Sequence, residues 1–163
     1  MNDPLDSKEG DPLKLDNQLC FLLYSASRKM TAAYRPLLNE LGLTYPQYLV
    51  MLVLWECLNE EESGHNKQGL KVGLISEKVQ LDNGTLTPLL KRLEAQGLVT
   101  RKRDREDERV VRIGLTVAGA KLRSRAEKVP ETMLCNSGLN AEQFAEIYAE
   151  LKSTLNKIPG MEC

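Results

Sequence analysis

The amino-acid sequence predicts a mainly α-helical fold that carries one small β-hairpin. Apolar residues recur every three or four positions through most of the chain, which is the spacing of amphipathic helices. Over residues 111–115 apolar residues instead alternate with arginine and glycine, which is the two-residue period of a half-buried strand. A length of 163 residues suits one domain, or one domain with a dimerisation extension.

The first predicted helix begins near Asp16, after a loose arm at residues 1–15, and ends at Gly42. Pro36 is expected to kink or divide it, because proline lacks the N–H group that a helix interior uses. A second helix is expected to follow, with Thr44 as its side-chain cap.

Two short helices joined by a tight turn are predicted after a polar loop at residues 60–69. The third helix covers roughly residues 70–79, and Asp82 caps a fourth helix that runs to Gly97. This arrangement is a helix-turn-helix, whose second helix enters the major groove when the motif binds DNA. A β-hairpin follows directly, so the fold class is a winged helix-turn-helix, the hairpin being the wing.

Two helices are predicted after the wing. Thr116 caps a fifth helix that runs to about Cys135, with Pro130 as a bend. Asn140 and Gln143 form a capping box at the start of a last helix.

The net charge of −1 conceals a strongly basic segment. Residues 83–125 contain eleven Lys and Arg side chains but five Asp and Glu side chains, which gives the segment a charge of +6. A basic segment in an otherwise acidic protein is typical of a site for a polyanion such as nucleic acid. The alternative is a solvated charged surface, and composition by itself does not choose between them.

The predicted DNA surface lies on the fourth helix and the hairpin. The polar start of that helix can approach base edges in the major groove, and arginine at a hairpin tip fits the narrow minor groove. Pro88 removes a hydrogen bond inside the helix, and such breaks of local rules are common at functional sites. The predicted contacts are Asn83, Gly84, Thr85, Thr87, Pro88, Lys91, Arg92, Arg101, Arg103 and Arg109.

The cysteines form no metal-binding pattern. Cys20, Cys57, Cys135 and Cys163 are far apart, and the one histidine lies in a polar stretch. Because zinc sites need clustered Cys and His ligands, we expect neither a metal nor a cofactor. No apolar run approaches the roughly 18 residues that span a bilayer, and the acidic amino terminus does not resemble a secretory signal. We therefore expect a cytoplasmic protein without a membrane partner.

The segment from Leu81 to Arg109 resembles the MarR family of winged-helix regulators, whose D-x-R wing element is present as Asp107 and Arg109. The resemblance implies that Asp107 orients Arg109 as a minor-groove finger. It also implies a homodimer bound to a pseudo-palindromic operator in double-stranded DNA, built from a single domain over residues 1–163. The DNA-binding lobe is expected at about residues 44–115, and the dimerisation helices at about residues 13–42 and 116–158.

Residues 15–28 and 43–49 are similar to the OhrR group of that family. The similarity implies a repressor that leaves its operator when organic hydroperoxide oxidises Cys20, with Tyr34 and Tyr45 supporting the thiolate. Cys20 lies about one turn into the predicted first helix, where peptide dipoles favour a thiolate, the form that peroxides oxidise to sulfenic acid. The alternative is that Cys20 is a small buried apolar residue.

The fate of the oxidised thiol and the function class leave alternatives open. Cys135 falls about where one branch of the OhrR group keeps a resolving cysteine, whereas the other branch captures a small thiol. A repressor released by a phenolic or other small ligand is a second possible function. A thiol peroxidase turning over at Cys20 is a third, but no second catalytic group lies near Cys20 in the sequence, so we expect no enzyme.

Overall fold

The computed structural model describes residue 11 and residues 13–62, 69–104 and 106–158. Most of the expected arm and of the expected polar loop lies outside these residues. Within them, seven α-helices and three short strands follow one another. The helices are α1 (Leu19–Leu41), α2 (Tyr45–Glu62), α3 (Val72–Val79), α4 (Asn83–Ala95), α5 (Val117–Ala126), α6 (Lys128–Ser137) and α7 (Ala141–Leu155), and the strands are β1 (Leu70–Lys71), β2 (Val99–Arg103) and β3 (Val111–Leu115).

The first helix, α1, begins at Leu19 and not near Asp16, because a short 3-10 turn occupies Leu15–Asn17. Pro36 lies inside α1 without dividing it, so the predicted division is wrong. Burial explains this outcome: Leu38, one half-turn later, is 1% exposed and packs this end of the helix into the core. Gly42 ends α1 as predicted, in a left-handed conformation with φ of 70°.

The centre of the core is α2, where Val50 and Met51 are fully buried. The indole N–H of Trp55 donates to the Gly119 carbonyl at 2.8 Å and so joins α2 to α5. A Cβ atom at residue 119 would lie 2.0 Å from the carbonyl oxygen of Leu98. Only glycine therefore permits this approach, which fixes α5 against the entrance to the wing.

The helix-turn-helix consists of α3 and α4, and the predicted cap is confirmed because the Asp82 carboxylate accepts the Thr85 N–H at 2.9 Å. The wing is confirmed as the antiparallel pair β2–β3. The strand β1 was not predicted, and it extends the sheet to the order β1-β3-β2 through pairing of Leu70 with Ile113. A strand of two residues has no periodicity that a sequence pattern could reveal.

The predicted fifth helix is two helices, α5 and α6, which separate at Glu127. Pro130 accounts for the break, since its ring crowds the carbonyl of Ala126 four residues earlier and cannot donate to it. Thr116 caps α5 as predicted, and Asn140 and Gln143 form the predicted capping box of α7.

The first and last helices leave apolar side chains in solvent. Leu22 of α1 is 64% exposed and Tyr148 of α7 is 59% exposed, and α7 has no buried residue. Among the described residues no single helix is long and apolar enough to span a membrane. Taken together, the helices Leu19–Leu41 and Tyr45–Leu58 have the length and composition of a membrane span, but the chain bends by 69° between them.

Candidate DNA interface and thiol site

The fourth helix buries one face and exposes the other. Leu86, Leu90 and Leu93 are buried and fix the rotation of α4 on the core. Thr87 is half-buried beside them. The exposed side carries the other predicted contacts on this helix, Asn83, Gly84, Thr85, Pro88, Lys91 and Arg92.

The hydroxyl of Thr85 takes part in the helix cap. It donates to Asp82 Oδ2 at 2.7 Å while the Thr85 N–H donates to Asp82 Oδ1 at 2.9 Å. These hydrogen bonds lower the pKa of Asp82, because they stabilise the carboxylate. Thr85 can therefore offer DNA its methyl group and oxygen lone pairs, whereas its hydroxyl proton is engaged.

A buried carboxylate, Asp104, shapes the turn of the wing. Its Oδ1 accepts the backbone N–H of Glu106 at 2.9 Å and of Asp107 at 3.3 Å, and its Oδ2 accepts from the Arg112 guanidinium. Arg112 also donates to the Gly69 carbonyl at 3.1 Å, which ties β3 to the residue before β1. The hydrogen bond from Arg112 is the main reason that the pKa of Asp104 falls to about 2.

Asp107 acts on Arg109 through the backbone. Asp107 Oδ1 accepts the N–H of Arg109 at 3.0 Å, and the Asp107 carbonyl accepts the N–H of Val110 at 2.9 Å. The Arg109 side chain is exposed at this turn. The carboxylates of Asp104 and Asp107 thus hydrogen-bond the backbone of the turn from which the Arg109 side chain extends.

The other wing arginines have different surroundings. Arg101 is half-buried, and its guanidinium lies 3.6 Å from the Glu94 carboxylate of α4. Arg103 is exposed and donates to the Glu108 carbonyl at 3.3 Å. Arg101 therefore links the wing to the fourth helix, while Arg103 and Arg109 are accessible to a ligand.

We predict that Asp104→Asn lowers the melting temperature in a pH-dependent way. The folded pKa of about 2 is below the ordinary value of 3.8. The contribution of the ionised carboxylate to stability is therefore complete above about pH 4 and is lost as the pH falls toward 2. Thermal unfolding of both proteins should show a difference in melting temperature that shrinks over this range. A difference that stays constant with pH would mean that the shape of the side chain matters and its charge does not.

The thiol of Cys20 is exposed in the first turn of α1, as the second residue of the helix. The two tyrosines predicted to support it are elsewhere in the same chain. Tyr34 lies on α1 itself, about 21 Å farther along the helix axis at 1.5 Å per residue. Tyr45 packs against Tyr34, with ring centroids 5.2 Å apart. Neither phenol can reach the thiol of its own chain.

The tyrosines belong to an aromatic cluster, in which Tyr48 contacts both Tyr34 and Trp55. Burial raises the pKa of Tyr34 and of Tyr45, and the pKa of Tyr34 is raised further by Tyr45. Burial, with smaller effects of both neighbours, raises the pKa of Tyr48 to about 12. All three phenols therefore keep their protons at neutral pH and can donate hydrogen bonds to an anion.

Sequence reasoning did not single out Tyr24 and Arg28, which lie four and eight residues after Cys20 on α1. The three residues are spaced four apart and share one face of α1, which was the available signal. The Arg28 guanidinium donates to the Tyr24 hydroxyl at 3.1 Å. The Tyr24 ring also stacks on Phe21, with ring centroids 6.5 Å apart.

The remaining described cysteines differ in access. Cys135 is exposed on α6, and Cys57 is buried in α2. Cys163 lies outside the described residues. In the part of the chain that the structure describes, no three His, Cys, Asp or Glu side chains are close enough to hold a metal ion.

Known proteins match this chain along most of its length. Residues 32–126 match a family model described as Transcriptional regulator SarA/Rot. The organic hydroperoxide resistance transcriptional regulator of Bacillus subtilis (strain 168) is 51% identical over 145 residues, which cover 89% of each chain.

Solved structures of AbfR from Staphylococcus epidermidis have the same fold. Reduced AbfR bound to DNA is 34% identical with a TM-score of 0.66, over 87% of this chain and 92% of that one. Disulfide-formed AbfR is 35% identical with a TM-score of 0.58, over 86% of this chain and 91% of that one. The chain therefore belongs to the MarR family of winged-helix transcriptional regulators and is similar, within that family, to the organic hydroperoxide resistance regulators.

Proposed function

We propose that this protein is a homodimeric DNA-binding repressor that leaves its operator when an organic hydroperoxide oxidises Cys20. One observation carries the proposal: an exposed thiol lies in the first turn of α1 in a chain that is 51% identical to an organic hydroperoxide resistance regulator. As a regulator it would act in the cytoplasm, beside the DNA. It would be oxidised once for each release, which distinguishes it from a thiol peroxidase that turns over.

The dimer is proposed to form through the apolar faces of α1 and α7, within the dimerisation regions at about residues 13–42 and 116–158. Both faces are exposed in the single chain. Their burial against a second copy removes apolar surface from water, which is the main driving force of association. Two copies then present two recognition helices and two wings, one set to each half of a palindromic operator.

Each DNA-binding lobe, at about residues 44–115, is proposed to use α4 in the major groove and the wing in the minor groove. Asn83, Gly84, Thr85, Thr87 and Pro88 would approach bases. Lys91, Arg92 and Arg103 would contact phosphates, and Arg109 would enter the minor groove. The half-buried position of Arg101 favours a role in holding the wing over a direct contact.

The thiol site is proposed to form between subunits, because Tyr34 and Tyr45 are too distant from Cys20 of their own chain. A groove beside Tyr45, between α1 and the start of α2, is lined by Arg28, Thr31 and Arg35 and could receive the helix start of a second copy. The protonated phenols would donate to the partner's thiolate, and the cationic guanidinium groups would favour its charge.

The proposed chemistry has two steps. The Cys20 thiolate attacks the outer oxygen of the hydroperoxide, the O–O bond breaks, and the alcohol leaves after taking up a proton, so that Cys20 becomes a sulfenic acid. The thiol of Cys135 from the partner subunit then attacks this sulfur, an S–S bond forms and water leaves. Disulfide-formed AbfR supports a disulfide as the stable oxidised state. Capture of a small thiol is the alternative second step.

Heterodimers of complementary variants test whether the site is shared between chains. Pairing Cys20→Ser with the double variant Tyr34→Phe/Tyr45→Phe leaves one complete site if Cys20 and the tyrosines come from different chains. It leaves none if they come from one chain. The heterodimer keeps one Cys20, and we expect this thiol to be oxidised at the wild-type rate. The Tyr34→Phe/Tyr45→Phe homodimer should be oxidised more slowly.

Intact mass after a short pulse of hydroperoxide measures these rates. A heterodimer that reacts as slowly as the double-phenylalanine homodimer would contradict the shared site. Equal rates in every protein would show that the tyrosines do not support the thiolate.

A further inference from the structure

Two glutamine side chains join the elbow, defined as residues Gly42–Thr44 between α1 and α2, to the end of α4. Gln47 Oε1 accepts the backbone N–H of Thr44 at 2.9 Å and the Thr44 hydroxyl at 3.0 Å. The Thr44 side chain, which was predicted to cap this helix start, therefore donates its hydrogen bond to Gln47. Gln47 Nε2 donates to Gln96 Oε1 at 3.3 Å, and Gln96 Nε2 donates to the Gly42 carbonyl at 3.0 Å.

The ends of this connection lie at the two candidate sites. Tyr45 follows the elbow directly and packs against Tyr34. Gln96 follows the last residue of α4, and its backbone N–H donates to the carbonyl of Arg92, a predicted DNA contact, at 2.9 Å. Two side chains thus span the distance between a tyrosine of the thiol site and the C-terminal turn of the recognition helix.

The elbow is closely packed against the core. The N–H of Leu43 donates to the Leu38 carbonyl at 3.0 Å, and both leucine side chains are buried. Gln47 is 3% exposed, and its hydrogen bonds to Thr44 and Gln96 are partly buried. Because close-packed groups change between discrete arrangements and do not deform continuously, a shift of Tyr45 would carry the elbow and both glutamines with it.

We propose that Gln47 and Gln96 are positioning residues that couple the thiol site to the recognition helix. When oxidation removes the thiolate that the phenols hold, Tyr45 and the elbow shift, and the glutamine pair transfers the shift to the end of α4. This inference rests on the proposed function, and it assigns a route from Cys20 oxidation to DNA release.

The test compares operator Kd before and after organic hydroperoxide for wild type, Gln96→Met and Lys91→Met. Gln96 is exposed, and methionine has similar length but neither donates nor accepts well, so the variant should fold. We expect its reduced Kd to stay within about threefold of wild type, while the ratio of oxidised to reduced Kd falls by about tenfold. Lys91→Met is the matched control on the same helix, and it should weaken both states equally and leave the ratio unchanged.

Mass spectrometry of Cys20 accompanies each measurement. Gln96→Met that is oxidised at the wild-type rate but released less supports the coupling role. If Gln96→Met has the wild-type ratio of oxidised to reduced Kd, the coupling role is overturned. An equal loss of affinity in the reduced and the oxidised protein also overturns it, because that result marks a purely structural role. Should Gln96→Met unfold, Gln96→Glu keeps the acceptor for Gln47 and loses the donor for Gly42, and its ratio must also fall. Failure of wild type itself to leave DNA would instead refute the proposed function.

Discussion

Replacing Cys20 with serine is expected to leave operator binding intact and to abolish its release by organic hydroperoxide. Serine keeps the size of the side chain but cannot be oxidised to a sulfenic acid. Cys20 is exposed and contributes nothing to the buried core, so the fold should not change. Fluorescence anisotropy of a labelled operator, titrated with hydroperoxide, should give a flat line for the variant and a full transition for wild type.

The control for this experiment is Cys57→Ala, which removes a thiol that is buried in α2. This variant should be released at the wild-type dose, because its thiol takes no part in sensing. Release of Cys20→Ser at that same dose would refute the thiol-sensor mechanism. It would favour a repressor that binds a small ligand, whatever the similarity to hydroperoxide regulators.

Arg109→Ala is expected to weaken operator binding by about 1–3 kcal/mol, roughly a 5- to 150-fold increase in Kd. The Asp107 carboxylate accepts the Arg109 N–H, and the Asp104 carboxylate accepts the Glu106 N–H. The exposed Arg109 side chain therefore extends from a hydrogen-bonded turn. Loss of this positive charge from a narrow minor groove should also weaken the salt dependence of binding, by about one unit in the slope of log K against log salt concentration. Kd values at several salt concentrations measure both effects.

Lys128→Ala is the control for the loss of charge, since it removes a positive charge from an exposed position on α6. Its Kd and its salt slope should stay near those of wild type. Both variants should keep the wild-type melting temperature. If Arg109→Ala binds the operator as tightly as wild type, the wing does not enter the minor groove.

The elements that the sequence predicted well have strong local signals. Asp82 and Thr116 cap helices as expected because capping depends on one side chain and the N–H groups just after it. The hairpin was predictable because apolar residues alternate along β3. The strand β1 was missed, and the bend expected at Pro130 is a break between α5 and α6, since pairing with a distant strand and the exact effect of Pro130 depend on tertiary packing.

The sites were predictable in residue identity but not in arrangement. The fourth helix and the wing carry the expected basic residues, yet the structure shows Arg101 half-buried against α4 and Asp104 as an unpredicted anchor. A single sequence also could not show that Cys20 and Tyr34 lie at distant points of one helix. Their spacing along α1 becomes informative only when the helix is known to be continuous through Pro36.

The most direct test of hydroperoxide sensing titrates the wild-type protein–operator complex with organic hydroperoxide and reads operator binding and protein mass in the same samples. Loss of binding should rise in step with loss of reduced Cys20. The product should be a covalent dimer without reductant, with a peptide that joins Cys20 to Cys135. Addition of a small thiol to Cys20 would keep the sensor and make Cys135 a bystander. Complete oxidation of Cys20 with the complex intact, or release with Cys20 still reduced, would contradict the mechanism.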